Sequence, residues 1–208
     1  MNAGVILAAG RGTRMGFPKQ LALYKGNTLI DQVNKFVNSY FQKTIVVLGY
    51  ESELIIDSTD FLNSEILLNE NWEEGIVSSL RTAIMYLENL KDIENLFLFL
   101  TDQPTIKPKV VEKLISLSEG SRQVIVPQYR YRVGYPICIP KNYWDRVSLL
   151  DFTIKNNESN NFELDPLSFI DVSDIEVKKV WFKYLQPLDL SLIHISEPTR
   201  RTPISYAV

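Results

Sequence analysis

One stretch, Val5 to Leu21, limits what this chain can fold into more than any other: V-I-L-A-A-G-R-G-T-R-M-G-F-P-K-Q-L. Its opening, Val5-Ile6-Leu7-Ala8-Ala9, is apolar with a β-branched start, which suits a strand buried on both faces of an α/β sheet. Gly10, Gly12 and Gly16 follow at once, interleaved with Arg11, Arg14 and Lys19. Glycine permits positive φ and lets backbone N–H groups approach a ligand closely. A concave run of such groups beside fixed cations suits a multiply charged anion, typically a nucleotide phosphate chain.

The remaining composition narrows the partners of such a loop. At 208 residues the chain is expected to form one domain, or one domain with an appendage, and 45% hydrophobic with 23% charged residues is ordinary for a soluble globular protein. A formal net charge of -3 argues against nucleic acid as a partner, so the basic cluster should serve a small ligand. No stretch reaches the roughly 20 apolar residues of a membrane span. The N-terminus lacks the positive region of a signal peptide. Cys138 is the single cysteine, which leaves no intrachain disulfide or multi-cysteine metal site and fits a reducing cytoplasm. Flanked by Ile137 and Ile139, it reads as a buried small hydrophobe rather than a nucleophile. The only histidine is His194, so chemistry in the first 190 residues must do without triads or His-ligated zinc.

Periodicity lays out the rest. Thr28 to Val37 has helical apolar spacing, with Thr28 or Asn27 as cap. Thr44 to Leu48 is a second strand, Glu51 to Ser58 a short helix, and Ile66 to Leu68 a third strand. Asn69 to Gly75 is a polar loop carrying Trp72, and Ile76, Leu80, Ala83, Ile84 and Leu87 mark one face of a long helix. Leu96 to Leu100 is the strongest strand and is expected to be central. Pro108 suits the first turn of a helix running to Gly120. Val124 to Val126 and Arg132 to Ile139 read as strands around a polar Tyr129-Arg130-Tyr131-Arg132 loop. Pro140 to Leu150 suits a short helix, Asp151 to Asp165 a polar loop, and Val177 to Leu185 a late strand. The alternation implies a three-layer α/β/α fold with a mostly parallel, Rossmann-like sheet. Ligands of such sheets bind at the carboxyl ends of strands, near a switch in strand order. Residues 1–190 are expected to form this domain. Residues 191–208 carry S-L-I-H-I-S-E-P-T-R and I-S-Y-A-V, which resemble translated sequencing-adapter read-through, and are expected to be non-native.

Two common phosphate-binding patterns do not fit. No stretch supplies G-x-x-x-x-G-K-[ST]. A dinucleotide fingerprint, G-x-G-x-x-G opening a helix, fails because the third glycine comes one residue late and Pro18 follows. What fits in full is L-A-A-G-x-G-x-R-M-G-x-P-K-x-L, present as Leu7 to Leu21. On this motif the chain resembles the nucleotidyltransferase superfamily with a MobA-like fold, of the nucleotide-diphospho-sugar transferase type. The resemblance implies that Leu7, Ala8, Ala9, Gly10 and Gly12 cradle the nucleotide while Arg14 and Lys19 contact its phosphates. It also implies that Asp102, in Thr101-Asp102-Gln103-Pro104, binds Mg²⁺, although alone that aspartate would read as the start of a turn.

Asn71-Trp72-Glu73-Glu74-Gly75-Ile76-Val77-Ser78-Ser79-Leu80 resembles the W-x-x-G-x-x-x-S-[LV] stretch of molybdenum cofactor cytidylyltransferases. There Ser79 would lie against the base, while helix capping by Ser78 or Ser79 is the alternative. Gly134-Tyr135-Pro136 stands where those enzymes often have G-H-P near the acceptor. The preceding Tyr129 to Arg132 segment suits either a phosphorylated ring acceptor or a solvated hairpin. The superfamily's late D-[IV]-[DN]-T-P motif is not intact; Asp189 or Asp171 is the candidate second metal ligand. The resemblance thus implies a Mg²⁺-dependent transferase with Arg14, Lys19 and Asp102 at its catalytic centre. CTP and molybdopterin are its implied substrates, and a molybdoenzyme or its chaperone a further partner. Sugar-1-phosphate or methylerythritol-phosphate nucleotidyl transfer is one alternative, and a nucleotide-binding accessory protein without turnover is the other.

Overall fold

In the computed structural model, which describes residues 1–12, 16–129, 132–148 and 176–182, the apolar run at the head of the loop motif becomes β1 (Asn2–Ala8). In chain order there follow β2 (Leu23–Tyr24), β3 (Asn27–Thr28), α1 (Leu29–Asn38), β4 (Lys43–Leu48), α2 (Ser52–Asp57), β5 (Glu65–Leu68) and α3 (Ile76–Glu88). The second half supplies β6 (Asn95–Leu100), α4 (Pro108–Ser118), β7 (Val124–Tyr129), β8 (Arg132–Val133), β9 (Ile137–Pro140), α5 (Trp144–Ser148) and β10 (Val177–Trp181). The main sheet has the order β10-β7-β9-β6-β1-β4-β5, with β8 hydrogen-bonded to β7.

β1, β4, β5 and β6 run parallel, and the chain reverses its direction of growth at β1. It proceeds outward through β4 and β5, then returns to lay β6 on the other side of β1. The crevice between β1 and β6 is therefore the switch point at which open α/β sheets bind ligands. The sheet is mostly parallel, as the alternation of elements implies. The exceptions are β9, inserted antiparallel between β6 and β7, and the short β8, antiparallel on β7.

Side-chain alternation builds the layers. Val5 and Leu7, Ile45 and Val47, and Leu96 and Leu98 face α3 and α5, where they meet Leu80, Ile84 and Trp144. Ile6, Val46, Leu48, Phe97 and Phe99 face the opposite way and meet Ile30 and Val33 of α1, Ile55 of α2, and Val110 and Leu114 of α4. Both faces of the central strands are thus sealed, which is why they read as continuous apolar runs. Thr28 caps α1 by accepting from the Asp31 N–H at 3.1 Å, and Pro108 occupies the first turn of α4.

Three local readings change. Arg132 to Ile139 is not one strand, because β8 and β9 are separated at Gly134-Tyr135-Pro136. Tyr129 does lie in a hairpin, paired with Arg132, but its side chain is buried rather than solvated: its hydroxyl donates to the Tyr135 carbonyl at 3.0 Å, and its ring packs on Phe182. Ser78 and Ser79 do not cap α3, since the helix begins at Ile76 behind Gly75. The small β2–β3 hairpin carries no alternating pattern long enough to announce it. Arg14, Arg130, Tyr131, the Asp151–Asp165 segment, Asp171, Asp189 and the 191–208 tail lie outside the described residues. Among the described residues no helix is long and apolar enough to cross a membrane.

Candidate active site

Because β1, β4, β5 and β6 are parallel, the loops after Ala8, Leu48, Leu68 and Leu100 all emerge at one edge of the sheet. The candidate residues Gly10, Gly12, Lys19, Ser79 and Asp102 belong to those loops or to the helical turns they enter. The 3-10 turn Lys19–Leu21 brings the end of the glycine loop back over the edge.

Gln20, which the sequence reading passed over, holds that return in place. It is 0% exposed, and its Nε2 donates to the Ala8 carbonyl at 2.5 Å and the Gly10 carbonyl at 2.9 Å. The Ala9 carbonyl is held separately, by the Tyr50 N–H at 3.0 Å. The C=O and N–H of a trans peptide point in opposite directions. Fixing the Ala8 and Gly10 carbonyls on Gln20 therefore turns the N–H groups of Ala9 and Arg11 away from it. The orientation of three successive peptides at the loop's start is thus determined before any ligand arrives. Gly12 takes φ +61°, a conformation that favours glycine, and a Cβ there would sit tightly against the Lys19 stem at 3.1 Å. A polar residue beside the motif's lysine was the available signal for Gln20. Its burial was not visible in the sequence.

The Lys19 Nζ lies 2.7 Å from the Asp102 Oδ2, with the two side chains 25% and 11% exposed. This ion pair spans from the loop after β1 to the turn after β6, across the switch crevice. Asp102's other oxygen, Oδ1, is buried and has no hydrogen-bond partner among the described residues. A buried carboxylate oxygen without a donor is costly and calls for a cation or a proton donor from a ligand. Among the described residues no cluster of three or more acidic, histidine or cysteine side chains surrounds it. A cation here would take one carboxylate and complete its shell with phosphate oxygens and water, the usual habit of Mg²⁺.

On the β5 side the buried polar groups are uncharged. Asn69, 4% exposed, follows β5 and donates from Nδ2 to the Ser78 Oγ at 2.8 Å and the Ser79 Oγ at 3.0 Å. Trp72 stands edge-on to Tyr50 with ring centroids 5.4 Å apart, and the Arg11 guanidinium lies 5.3 Å from the Tyr50 ring. Gly49 makes this packing possible, since a Cβ there would fall 2.6 Å from the Trp72 Cβ and 2.9 Å from that of Ala9. A hydrogen bond to Glu51 raises the Tyr50 phenol above its ordinary pKa, desolvation adds to the rise, and Arg11 opposes it.

On the far side of β6, antiparallel pairing sets Ile137 opposite Leu98. The chain just before Ile137 therefore lies toward the carboxyl end of β6, near Thr101 and Asp102. The Tyr135 side chain is 2% exposed and belongs to the core against α3 and α5. What the Gly134–Tyr135 turn can present to a ligand is consequently backbone. Cys138 is 1% exposed, and burial pushes its thiol up to about 12, so it is no nucleophile near neutral pH.

The MobA-like NTP transferase domain matches residues 4–159 of the chain. Molybdenum cofactor cytidylyltransferase from Escherichia coli (strain K12) is 28% identical over 138 residues, which is 66% of this chain and 69% of that protein. Bifunctional protein GlmU from Rippkaea orientalis is 30% identical over 125 residues, 59% of this chain and only 27% of its own length. Among solved structures, Rv0371c from Mycobacterium tuberculosis H37Rv superposes with a TM-score of 0.74 at 22% identity, covering 91% of this chain and 92% of that one. Rv0371c in complex with manganese gives a TM-score of 0.72, also at 22% identity, and the likeness is one of fold.

Proposed function

This chain belongs to the MobA-like NTP transferase domain family, and from that premise we propose that it transfers CMP from CTP to a phosphorylated acceptor, molybdopterin or its molybdenum cofactor, with release of pyrophosphate. The observation that carries the reading is the Lys19–Asp102 pair at the β1–β6 crevice, with the Asp102 Oδ1 buried and unpartnered beside the glycine loop.

The order of strands supports the following arrangement of substrates. The base lies over β5 and α3, against Ser79. The phosphates lie over β1, along Leu7, Ala8, Ala9, Gly10 and Gly12. The acceptor lies beyond β6, at the Gly134–Tyr135 backbone. An acceptor phosphate oxygen then attacks the α-phosphorus, the bond from that phosphorus to the oxygen bridging to the β-phosphate breaks, and pyrophosphate leaves in line. The protein's part is position and charge, which explains why no histidine is required. Lys19 offsets negative charge as it passes to the leaving group, and Arg14 is proposed to do the same. Asp102 fits a divalent cation, which when bound would draw negative charge from the phosphate oxygens. Rv0371c in complex with manganese supports a divalent ion, and the chemistry of a single carboxylate plus phosphates favours Mg²⁺. Asp189 is proposed as the second ligand.

Incubation with Mg²⁺, CTP and molybdenum cofactor should release one pyrophosphate per nucleotide transferred. The G-x-G-T-R-M form of the loop sustains one competing reading, transfer to a sugar 1-phosphate, so UTP and GTP with sugar phosphates belong in the same assay. Release only with those pairs would replace the acceptor. No release with any pair would reject the transferase.

A further inference from the structure

We propose that Asn69 is a positioning residue that sets the direction of the Ser79 hydroxyl, making it a hydrogen-bond donor to the nucleobase. The base edge read at this point is then one that presents an acceptor, such as a pyrimidine O2 or the N3 of cytosine. The inference rests on the nucleotidyl-transfer reading and adds to it a source of base selectivity.

The orientation of the Asn69 amide follows from an unambiguous donor. The Asn71 backbone N–H donates to the Asn69 Oδ1 at 3.0 Å, and a backbone N–H cannot accept. The NH₂ arm must therefore face the two serines, where it lies 2.8 Å from the Ser78 Oγ and 3.0 Å from the Ser79 Oγ. Asn69 is itself anchored by its own N–H to the Leu48 carbonyl at 2.8 Å, so the polarity is tied to the end of β4. An NH₂ group only donates, and both hydroxyl oxygens are thereby acceptors in this contact. Each serine proton must point elsewhere. Ser78 gives its proton to the Asn71 carbonyl at 2.8 Å or the Gly75 carbonyl at 2.9 Å. Ser79 has no such acceptor: among the described residues the bond it receives from Asn69 is its only one. Ser79 is buried, on the first turn of α3. Its uncommitted proton is a directed donor in a site from which water is largely excluded, where an unmatched partner is costly.

Titration calorimetry of the full chain with CTP, UTP, ATP and GTP in Mg²⁺ tests this. Asn69→Asp keeps an oxygen for the Asn71 N–H but turns the other arm into an acceptor. Both serines would then donate to it, and Ser79 would show the base a lone pair. CTP affinity should fall about tenfold and the ranking of the bases should change. Ser79→Ala should flatten the ranking, and adding Asn69→Asp to Ser79→Ala should change it no further. Thermal unfolding identifies a variant that does not fold. If Asn69→Asp is one, Asn69→Ala decides, because an undirected hydroxyl should narrow the spread among bases. A uniform loss for all four nucleotides, or an unchanged ranking, overturns the role of Asn69 while leaving the transferase reading intact. A wild-type chain that binds none of the four overturns both.

Discussion

The two ends of the candidate site are built on opposite principles. At the β1–β6 crevice, charge is paired with charge and one carboxylate oxygen is left over, Lys19 on Asp102 beside the glycine loop. Between β5 and α3, Asn69, Ser78 and Ser79 form a neutral network whose information is the direction of each hydrogen bond. The charged end suits a ligand common to all nucleotides, the phosphate chain. The neutral end suits the part that differs between them. Affinity and turnover are thus expected to reside at one end and selectivity at the other, because Coulombic attraction does not distinguish one base from another.

The largest test of that division is Asp102→Asn. Pyrophosphate release should fall about 10²- to 10³-fold, as when one preorganised charge-stabilising group is lost. A drop below about tenfold would move the chemistry away from the crevice. Lys19→Ala should lower turnover by about 10²-fold with every nucleotide alike. It should also cost about 1–3 kcal/mol in urea unfolding, because it leaves the largely buried Asp102 carboxylate without its partner. An unchanged unfolding midpoint would mean that the pair is not maintained in solution.

Gln20→Leu sharpens the comparison further. It removes the donor that aligns the Ala8 and Gly10 carbonyls, so nucleotide affinity should fall about tenfold without any change in base ranking. A changed ranking would show that the loop also reads the base. The smallest effect belongs outside both ends. The Cys138 thiol should resist alkylation at neutral pH until the protein unfolds. Its folded pKa is raised, so the stability it contributes is complete below the ordinary thiol range and is lost as pH rises toward about 12. Cys138→Ala should therefore flatten the alkaline loss of stability measured by urea unfolding. An equally steep loss would assign the effect to other groups.

How much of this was legible depended on how local the cause was. Periodicity placed α1, α3, α4 and the central strands because the alternation of polar and apolar residues is a property of the segment itself. Cys138 between two isoleucines announced its burial for the same reason. The loop motif and Asp102 were legible as a pattern, and the structure shows how parallel strands bring them to one edge. The burial of the Tyr129 and Tyr135 side chains was not legible in the sequence. A tyrosine among arginines reads as surface, yet Tyr129 closes the core under Phe182, while Tyr135 sits where a ligand contact was expected and is committed to packing. Ser78 and Ser79 have the composition of caps, but Gly75 turns the chain early enough that the helix begins three residues before Ser79. Nothing near Gln20 or Asn69 in the sequence indicates that their partners are carbonyls and hydroxyls of other segments.

By itself the sequence determined that β1 ends in a glycine-rich loop flanked by cations, that a carboxylate follows another strand, and that the sheet is covered on both faces. Each follows from residues adjacent in the chain, where sterics, glycine and apolar periodicity act directly. Only the tertiary structure decided that the two loops meet across the strand-order switch and that β9 enters antiparallel beside β6. It alone buries Gln20 beneath the loop and gives Asn69 the polarity that aims Ser79. Those outcomes depend on contacts between residues far apart in the chain, and the direction of a hydrogen bond exists only once both partners are in place.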